Sequence, residues 1–376
     1  IASGQTLTIA SGQTLTIADS GTLTSTAGLV VNAGTIISSG TITSASDFTG
    51  STGLVRFPTI AAYNNSNISL PRTSNNMTSN FTLANVMSAG TIEVVLDENL
   101  TTNGNNLTIP SGITLEIAAS VTLTKSANDE VVNGGTINVL DTAKIADTGT
   151  WTGSNGLVSF ASVAAYDASV ASGQLSTALT ANTAIANYMG AGTTKVILSG
   201  SETLTTSTYT LTIPASVTLE VDSDGLTIAG TITNNGTLTN NDIIYIGYGK
   251  SLPTGTLNNN NLVLYKDQWG GNGLRTSQTL NNDFNIASDG VLVIDSADVT
   301  LTISSGNTLT NDGLFLISGE LSIQTGGELI NNIGGYEHRT EVSSFPVGKI
   351  TNSGTITNTG GSGGIGIRNY SIITNS

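Results

Sequence analysis

The sequence has no cysteine, one histidine, few aromatic residues and little charge. The lack of Cys excludes a disulfide framework, a thiol nucleophile and Cys-ligated zinc. The single imidazole, His338 in Tyr336-Glu-His-Arg-Thr-Glu341, reads as a surface residue beside Arg and Glu. Hydrolases that need a His base are therefore excluded. Charged residues make up 10% of the chain, well under the roughly 25% of an ordinary soluble domain. With 11 Lys+Arg against 26 Asp+Glu the net charge is −15, which removes the electrostatic attraction on which nucleic-acid and anionic-membrane binding depend. No apolar run approaches the roughly 18 residues that read as a membrane span, and the first residues lack a basic segment followed by an apolar one, so a secretion signal is expected only outside this chain. Neither a Gly-x-Ser-x-Gly elbow nor a phosphate-binding loop ending in Gly-Lys-Ser/Thr occurs.

What the chain has instead is repetition. The octad Ile-Ala-Ser-Gly-Gln-Thr-Leu-Thr fills residues 1–8 and again 9–16. Gly34-Thr-Ile, Gly40-Thr-Ile, Gly230-Thr-Ile-Thr-Asn-Asn and Gly236-Thr-Leu-Thr-Asn-Asn continue the rhythm. Within each unit apolar and polar residues alternate, as in Thr6-Leu7-Thr8-Ile9 and Thr114-Leu115-Glu116-Ile117, so Leu and Ile face one side of a strand and Thr or Glu the other. The short connections leave no room for helical crossovers, and they lack the two-residue signals of hairpins. The pattern predicts an all-β fold, a parallel β-helix (β-solenoid, taken as right-handed), in which the inward residues of successive turns stack. At roughly 20 residues and about 4.8 Å per turn, a rod on the order of 80–90 Å is expected. Asn at the turns, including Asn234-Asn235, Asn240-Asn241 and Asn258 to Asn261, suits left-handed backbone and amide ladders.

A longer repeat overlies this one. Phe48-Thr-Gly-Ser-Thr-Gly-Leu-Val-Arg-Phe57 returns as Trp151-Thr-Gly-Ser-Asn-Gly-Leu-Val-Ser-Phe160, each followed by an Ala-Ala-Tyr ending at Tyr63 or Tyr166. A shortened copy begins at Trp269-Gly-Gly-Asn-Gly-Leu274. The expected organisation is N-terminal solenoid turns over 1–47, one module over 48–150 with an excursion at 58–88, and a second over 151–268 with an excursion at 161–190. A shortened module over 269–345 and Gly-rich terminal turns or a cap over 346–376 complete it. The excursions are expected to protrude, as binding loops of repeat proteins do, and the second suggests a short helix around Ser169 to Ala186. The alternative is that they shield a face or pack against neighbouring chains.

Candidate chemistry is sparse. The carboxylate pairs Asp97/Glu98, Asp129/Glu130, Asp222/Asp224 and Asp295/Asp298 are of the kind a glycosidase uses, but Asp at such positions also supports turns. Asp222, Asp224, Asp295 and Asp298 are the candidate Ca²⁺ ligands, against which no EF-hand or Gly-Gly-x-Gly-x-Asp repeat occurs. No other cofactor is expected. Tyr63, Tyr166, Trp151 and Trp269 are the candidate ligand-binding aromatics, although the repeat-equivalent tryptophans also suit core or corner packing. The sequons at Asn64, Asn67, Asn76 and Asn80 make the first excursion a candidate glycosylation segment. Outward Thr-x-Thr pairs order water on the flat faces of ice-binding proteins; Thr is also a good strand residue on a half-exposed face.

The Gly-Thr-Ile/Leu-Thr-Asn units, the absent Cys, the acidic balance and the near-absence of His resemble the parallel β-helix repeats of phage tail fibres and tailspikes and of large surface adhesins. That resemblance implies an extracellular, cell-surface or virion-surface rod that self-associates as a homotrimer or filament, with a surface glycan as candidate partner. It brings no catalytic residues, since no pectate-lyase-like Asp/Arg cluster is present. The reading is a non-enzymatic structural fibre or attachment protein without membrane insertion or nucleic-acid binding. A self-assembling surface filament or surface-layer subunit is the first alternative. A glycan depolymerase built on paired carboxylates is the second.

Overall fold

A computed structural model of the chain describes residues 1–43, 48, 51–66, 70–84, 90–147, 151–169, 175, 178–199, 202–222, 225–251, 255–260, 262–266, 272–286, 291–294, 296, 298–312, 314–332, 348–358 and 372–375. The fold is an all-β parallel β-solenoid with about 13 turns. The chain divides into two compact units, residues 1–176, 184–199 and 213–219 in the first, and 177–183, 200–212 and 220–376 in the second.

In the first unit a turn consists of three short strands. Leu107–Ile109, Ile113–Ile117 and Thr122–Lys125 form one turn, and Val131–Asn133, Thr136–Val139 and Lys144–Asp147 the next. Each strand pairs in parallel with its successor: Leu107 with Val131, Leu115 with Ile137 and Leu123 with Ile145, a repeat of about 22–24 residues. Inward Leu, Ile and Val are almost fully buried and stack in columns, while the alternate Thr, Glu and Asn are partly exposed.

The corners explain the recurring motifs. Gln5 N donates to the carbonyl of Ala2 and Gln13 N to that of Ala10, each closing a four-residue turn. The third residue of these turns, Gly4 or Gly12, has φ of 75° or 77°, a region that favours glycine. Ser120 and Thr142 adopt the same region in the corresponding turns. At a second corner an Asn points inward from the end of a strand. Asn32 accepts from Gly34 N through its own carbonyl (3.1 Å) and donates through Nδ2 to the carbonyl of Leu54 on the next turn (3.0 Å). Asn133 repeats this with Gly135 N (3.1 Å) and the Leu157 carbonyl (2.9 Å). The Asn-x-Gly-Thr motif is thus a stitch within one turn and between two. Its asparagines lie in strands, so they are not the left-handed turn residues that the sequence suggests. The glycine is required by proximity: a Cβ on Gly135 would sit 2.2 Å from the Ile113 carbonyl oxygen, and one on Gly34 would sit 2.3 Å from that of Gln13.

The two sequence modules do not stack in perfect superposition. Leu54 faces Thr91, whereas its counterpart Leu157 lies in the column of Arg56, Glu93, Thr114 and Thr136. The second copy has moved along the strand direction by an even number of residues, which preserves the inward and outward parity of every side chain.

Each excursion of the first unit begins as a one- to two-turn helix, α1 (Ile60–Asn65) and α2 (Val163–Ser169). The second helix precedes the expected Ser169 to Ala186 stretch and meets it only at Ser169, and the first excursion carries a matching helix. Neither helix stands away from the coil. Ser66 Oγ at the end of α1 accepts the backbone N–H of Ile42 (3.0 Å), and Ser169 Oγ at the end of α2 accepts that of Ile145 (2.9 Å). Both receiving strands, Thr41–Thr43 and Lys144–Asp147, are the last of their sheets. The helices therefore terminate one face of the coil by satisfying its edge, while the adjacent face continues strand on strand from Thr14–Ile17 to Thr193–Leu198.

The second unit repeats the plan over Leu226–Ile228, Ile244–Ile246 and Val263–Lys266, in parallel. The direction then reverses once, where Tyr265 faces Gly273 and Lys266 faces Asn272 in an antiparallel pair. At this break the side chain of Gln278 takes the place of a strand. Its Oε1 accepts Val263 N (2.6 Å) and its Nε2 donates to the Val263 carbonyl (2.9 Å). Parallel stacking resumes with Thr300–Ile303, Glu320–Ile323 and Lys349–Asn352 around a core that includes Leu301, Leu309, Leu321 and Leu329.

The corner analysis yields a test with an internal control. Gly135→Ala is expected to cost about 1–3 kcal/mol because backbone cannot give way easily, and Asn133→Ala a similar amount by stranding buried polar groups. Gly134→Ala, whose Cβ would meet nothing nearer than 3.4 Å, is expected to be nearly neutral. Urea unfolding midpoints of the three variants measure the order.

Candidate functional surface

The long sheet of the first unit presents its outward side chains in columns. One column of stacked outward residues runs Thr16, Ile37, Arg56, Glu93, Thr114, Thr136, Leu157 and Thr193. Threonine does not form an unbroken array in it, which removes the regular spacing that a water-ordering face needs. Its charged centre is Arg56, which pairs with Glu93 from the next strand and reaches Glu116 at 3.0 Å. Burial raises the Glu93 carboxyl above its ordinary range; Arg56 opposes this shift and the charge of Glu116 adds to it.

Four of the carboxylates singled out from the sequence, Asp97, Glu98, Asp129 and Glu130, bond backbone groups or neighbouring side chains. Asp97 Oδ1 accepts the N–H of Ile60 at the start of α1 (2.9 Å), and Glu98 pairs with Arg72 at 2.6 Å. Asp129 is buried, which by itself would raise its pKa. Hydrogen bonds from the Thr102 hydroxyl, Gly104 N and Ser126, together with the charge of Lys125, outweigh burial and hold it below the usual carboxylate range. Glu130 accepts from the Thr152 hydroxyl. Asp222 and Asp298 are exposed; Asp224 and Asp295 lie outside the described residues, as does His338. Among the described residues no three His, Cys, Asp or Glu side chains gather as a metal site.

Three of the four candidate aromatics are interior. Tyr63 and Tyr166 are fully buried; each hydroxyl accepts a backbone N–H across the excursion, from Ala84 and Ala186 respectively, both at 2.7 Å. Their rings meet Phe57 and Phe160 edge to face at centroid distances of 5.4 Å. Burial pushes both phenols up to about 12, against the lowering effect of those hydrogen bonds. Trp151 is 3% exposed, donates Nε1–H to Asp147 Oδ2 (2.9 Å) and stands edge-on to Tyr188. These rings lock excursions onto the coil and present no platform to solvent. The reason is local: a residue three positions into a helix that lies on a sheet edge points back into the core. Trp269 lies outside the described residues.

Of the sequon asparagines, Asn64 is half-buried and accepts Leu70 N (2.9 Å), while Asn76 and Asn80 are exposed. Asn80 nevertheless accepts the N–H of Asn106, and Asn106 in turn accepts that of Glu130. This is an outer amide ladder from turn to turn. Asn67 is outside the described residues. In the second unit Tyr248 is 63% exposed, Lys266 lies over the Tyr245 ring at 5.7 Å and Arg275 over the Tyr265 ring at 4.9 Å. Neither cation–aromatic contact is legible in the sequence: Lys266 and Tyr245 lie on neighbouring strands 21 residues apart, and Arg275 meets Tyr265 across the antiparallel reversal.

No family model matches the chain, and no curated protein matches it. Among solved structures the chain is similar to a crystal structure of a TibC-catalyzed hyper-glycosylated TibA55-350 fragment, at 14% identity over 100% of this chain and 96% of that one, with a TM-score of 0.15. A superposition of that quality carries no argument about this chain.

The buried phenols set a pH dependence. Their folded pKa of about 12 lies above the value of about 10 for an exposed phenol. The folded form thus holds protons that the unfolded chain releases, so their contribution is intact below pH 10 and is lost as pH rises toward 12. Chemical denaturation at pH 8 and at pH 11 is expected to show this loss, on the order of 1–3 kcal/mol per tyrosine. Replacement of both by Phe is expected to remove their share of the alkaline loss, leaving that of the buried Tyr188 phenol, while lowering stability at pH 8 by about 1–3 kcal/mol per unpaired N–H.

Proposed function

We propose that this chain is a non-enzymatic structural and attachment module of an extracellular, cell or virion surface. In this reading the coil is a stiff scaffold, and its Thr-, Ser- and Asn-rich faces meet a glycan or a neighbouring copy. The observation that carries the reading is the use of side chains. The engaged candidate carboxylates bind backbone groups, hydroxyls or cations of neighbouring segments, and the described candidate aromatics are sealed in the interior. What remains outward is rich in hydroxyls and amides, interrupted by the Arg56, Glu93 and Glu116 cluster, on a backbone paired turn to turn. Such a surface binds through many weak polar contacts and suits multivalent adhesion.

The experiment exposes fluorescently labelled protein to immobilised polysaccharides and intact cells across a concentration series, with reducing-end release and particle size measured in parallel. Saturable binding without release of reducing ends is the expected outcome, with discrete particles that resist protease. Release of sugar ends would replace this reading by a depolymerase. Long polymers growing with concentration and no glycan or cell binding would replace it by a filament subunit.

A further inference from the structure

One buried pair in the first unit is chemically out of place. Lys125 ends the strand Thr122–Lys125 with the inward parity of Leu123, and its side chain is 1% exposed. Its register partner on the next turn is Asp147, whose Oδ1 lies 3.3 Å from Nζ. The pair is held from both sides. Lys125 Nζ also donates to the Asp129 carbonyl (3.3 Å), and Trp151 Nε1 donates to Asp147 Oδ2 (2.9 Å). The equivalent place in the second module shows what the fold itself requires. There Leu226 and Ile244 occupy the positions of Leu123 and Ile145, and Ile228 stacks on Ile246, both buried. An aliphatic pair is sufficient for the coil, and well-packed apolar residues serve as well as or better than a buried ion pair.

We propose that Lys125 and Asp147 condense to an intramolecular amide, a covalent staple between consecutive turns. The reaction begins with transfer of one proton from the ammonium to the carboxylate, which leaves an amine beside a carboxylic acid. The Nζ lone pair attacks Cγ of Asp147 and forms the N–C bond. The developing negative charge falls on Oδ2, where the Trp151 N–H already points. The C–O bond to the protonated Oδ1 then breaks, and that hydroxyl leaves with a proton from nitrogen as water. One ammonium and one carboxylate become one amide and one water, with no oxidant, cofactor or second substrate. With Nζ 3.3 Å from Oδ1, the amine is held against the carboxyl group whose Cγ it attacks, and groups held together in this way react as if at very high concentration. Condensation also removes two charges from a buried site, and the partial exposure of Asp147 gives the water an exit.

The test is the intact mass of the purified, denatured full chain, followed by peptide mapping. The expected mass is one water, about 18 Da, below that of the sequence, with a branched peptide joining Lys125 to Asp147. Lys125→Arg and Asp147→Ala are expected to restore the full sequence mass. A folded wild-type protein that keeps its full mass after prolonged incubation would overturn the proposal, whether or not the variants fold. So would a deficit that persists in Lys125→Arg, since a succinimide elsewhere loses the same water.

Discussion

Backbone pairing between consecutive turns is the constraint from which the other features follow. A strand of three or four residues cannot satisfy its own N–H and C=O groups, and here each strand finds them met by its copy about 22 residues away. Such close parallel approach leaves no space at the corners for a Cβ, hence the stacked glycines. It leaves inward carbonyls of the next turn in need of donors, hence the asparagines at Asn32 and Asn133. Where a strand is missing, something else must supply its groups. Ser66 and Ser169 do so from the ends of helices, and Gln278 does so with a single side-chain amide.

The same constraint accounts for a surface with little charge. Outward threonines and asparagines hydrate the faces, and several of their side chains extend the ladder outside the strands, as from Asn80 to Asn106 to Glu130. Acidic residues are placed where they complete that network, at a helix start for Asp97 and over Thr102 and Gly104 for Asp129. These acids thus have local structural work, and the attachment role proposed above would rest on polar contacts in number more than on any one charged site.

The coil was legible because its signal is local and repeated: period-two alternation in Thr114 to Ile117 and glycine before Thr-Ile or Thr-Leu appear in the sequence as they do in the fold. The module repeat at Leu54 and Leu157 was equally plain, but its lateral shift was not, since register depends on which turns meet. Tyr63 and Tyr166 looked like binding aromatics because they sit in segments without the strand rhythm. Their burial follows from short helices that pack back onto a sheet edge, and a six-residue helix leaves little periodicity to read. Lys125 stands four residues before Asp129 in the sequence; that it points inward follows from strand parity, and that it meets Asp147 follows from the turn length.

Turn-on-turn register is the central claim, and the absence of cysteine makes it directly measurable with a pair of introduced labels. Thr124 and Ala146 face outward and are register partners on consecutive turns, which places their backbones about 4.8 Å apart. Nitroxides on Thr124→Cys and Ala146→Cys in one chain are expected to give a strongly broadened electron paramagnetic resonance spectrum in the folded state, collapsing to the sum of the single labels on denaturation. A folded double-labelled protein whose spectrum already equals that sum would contradict the stacking of these turns and the account built on it.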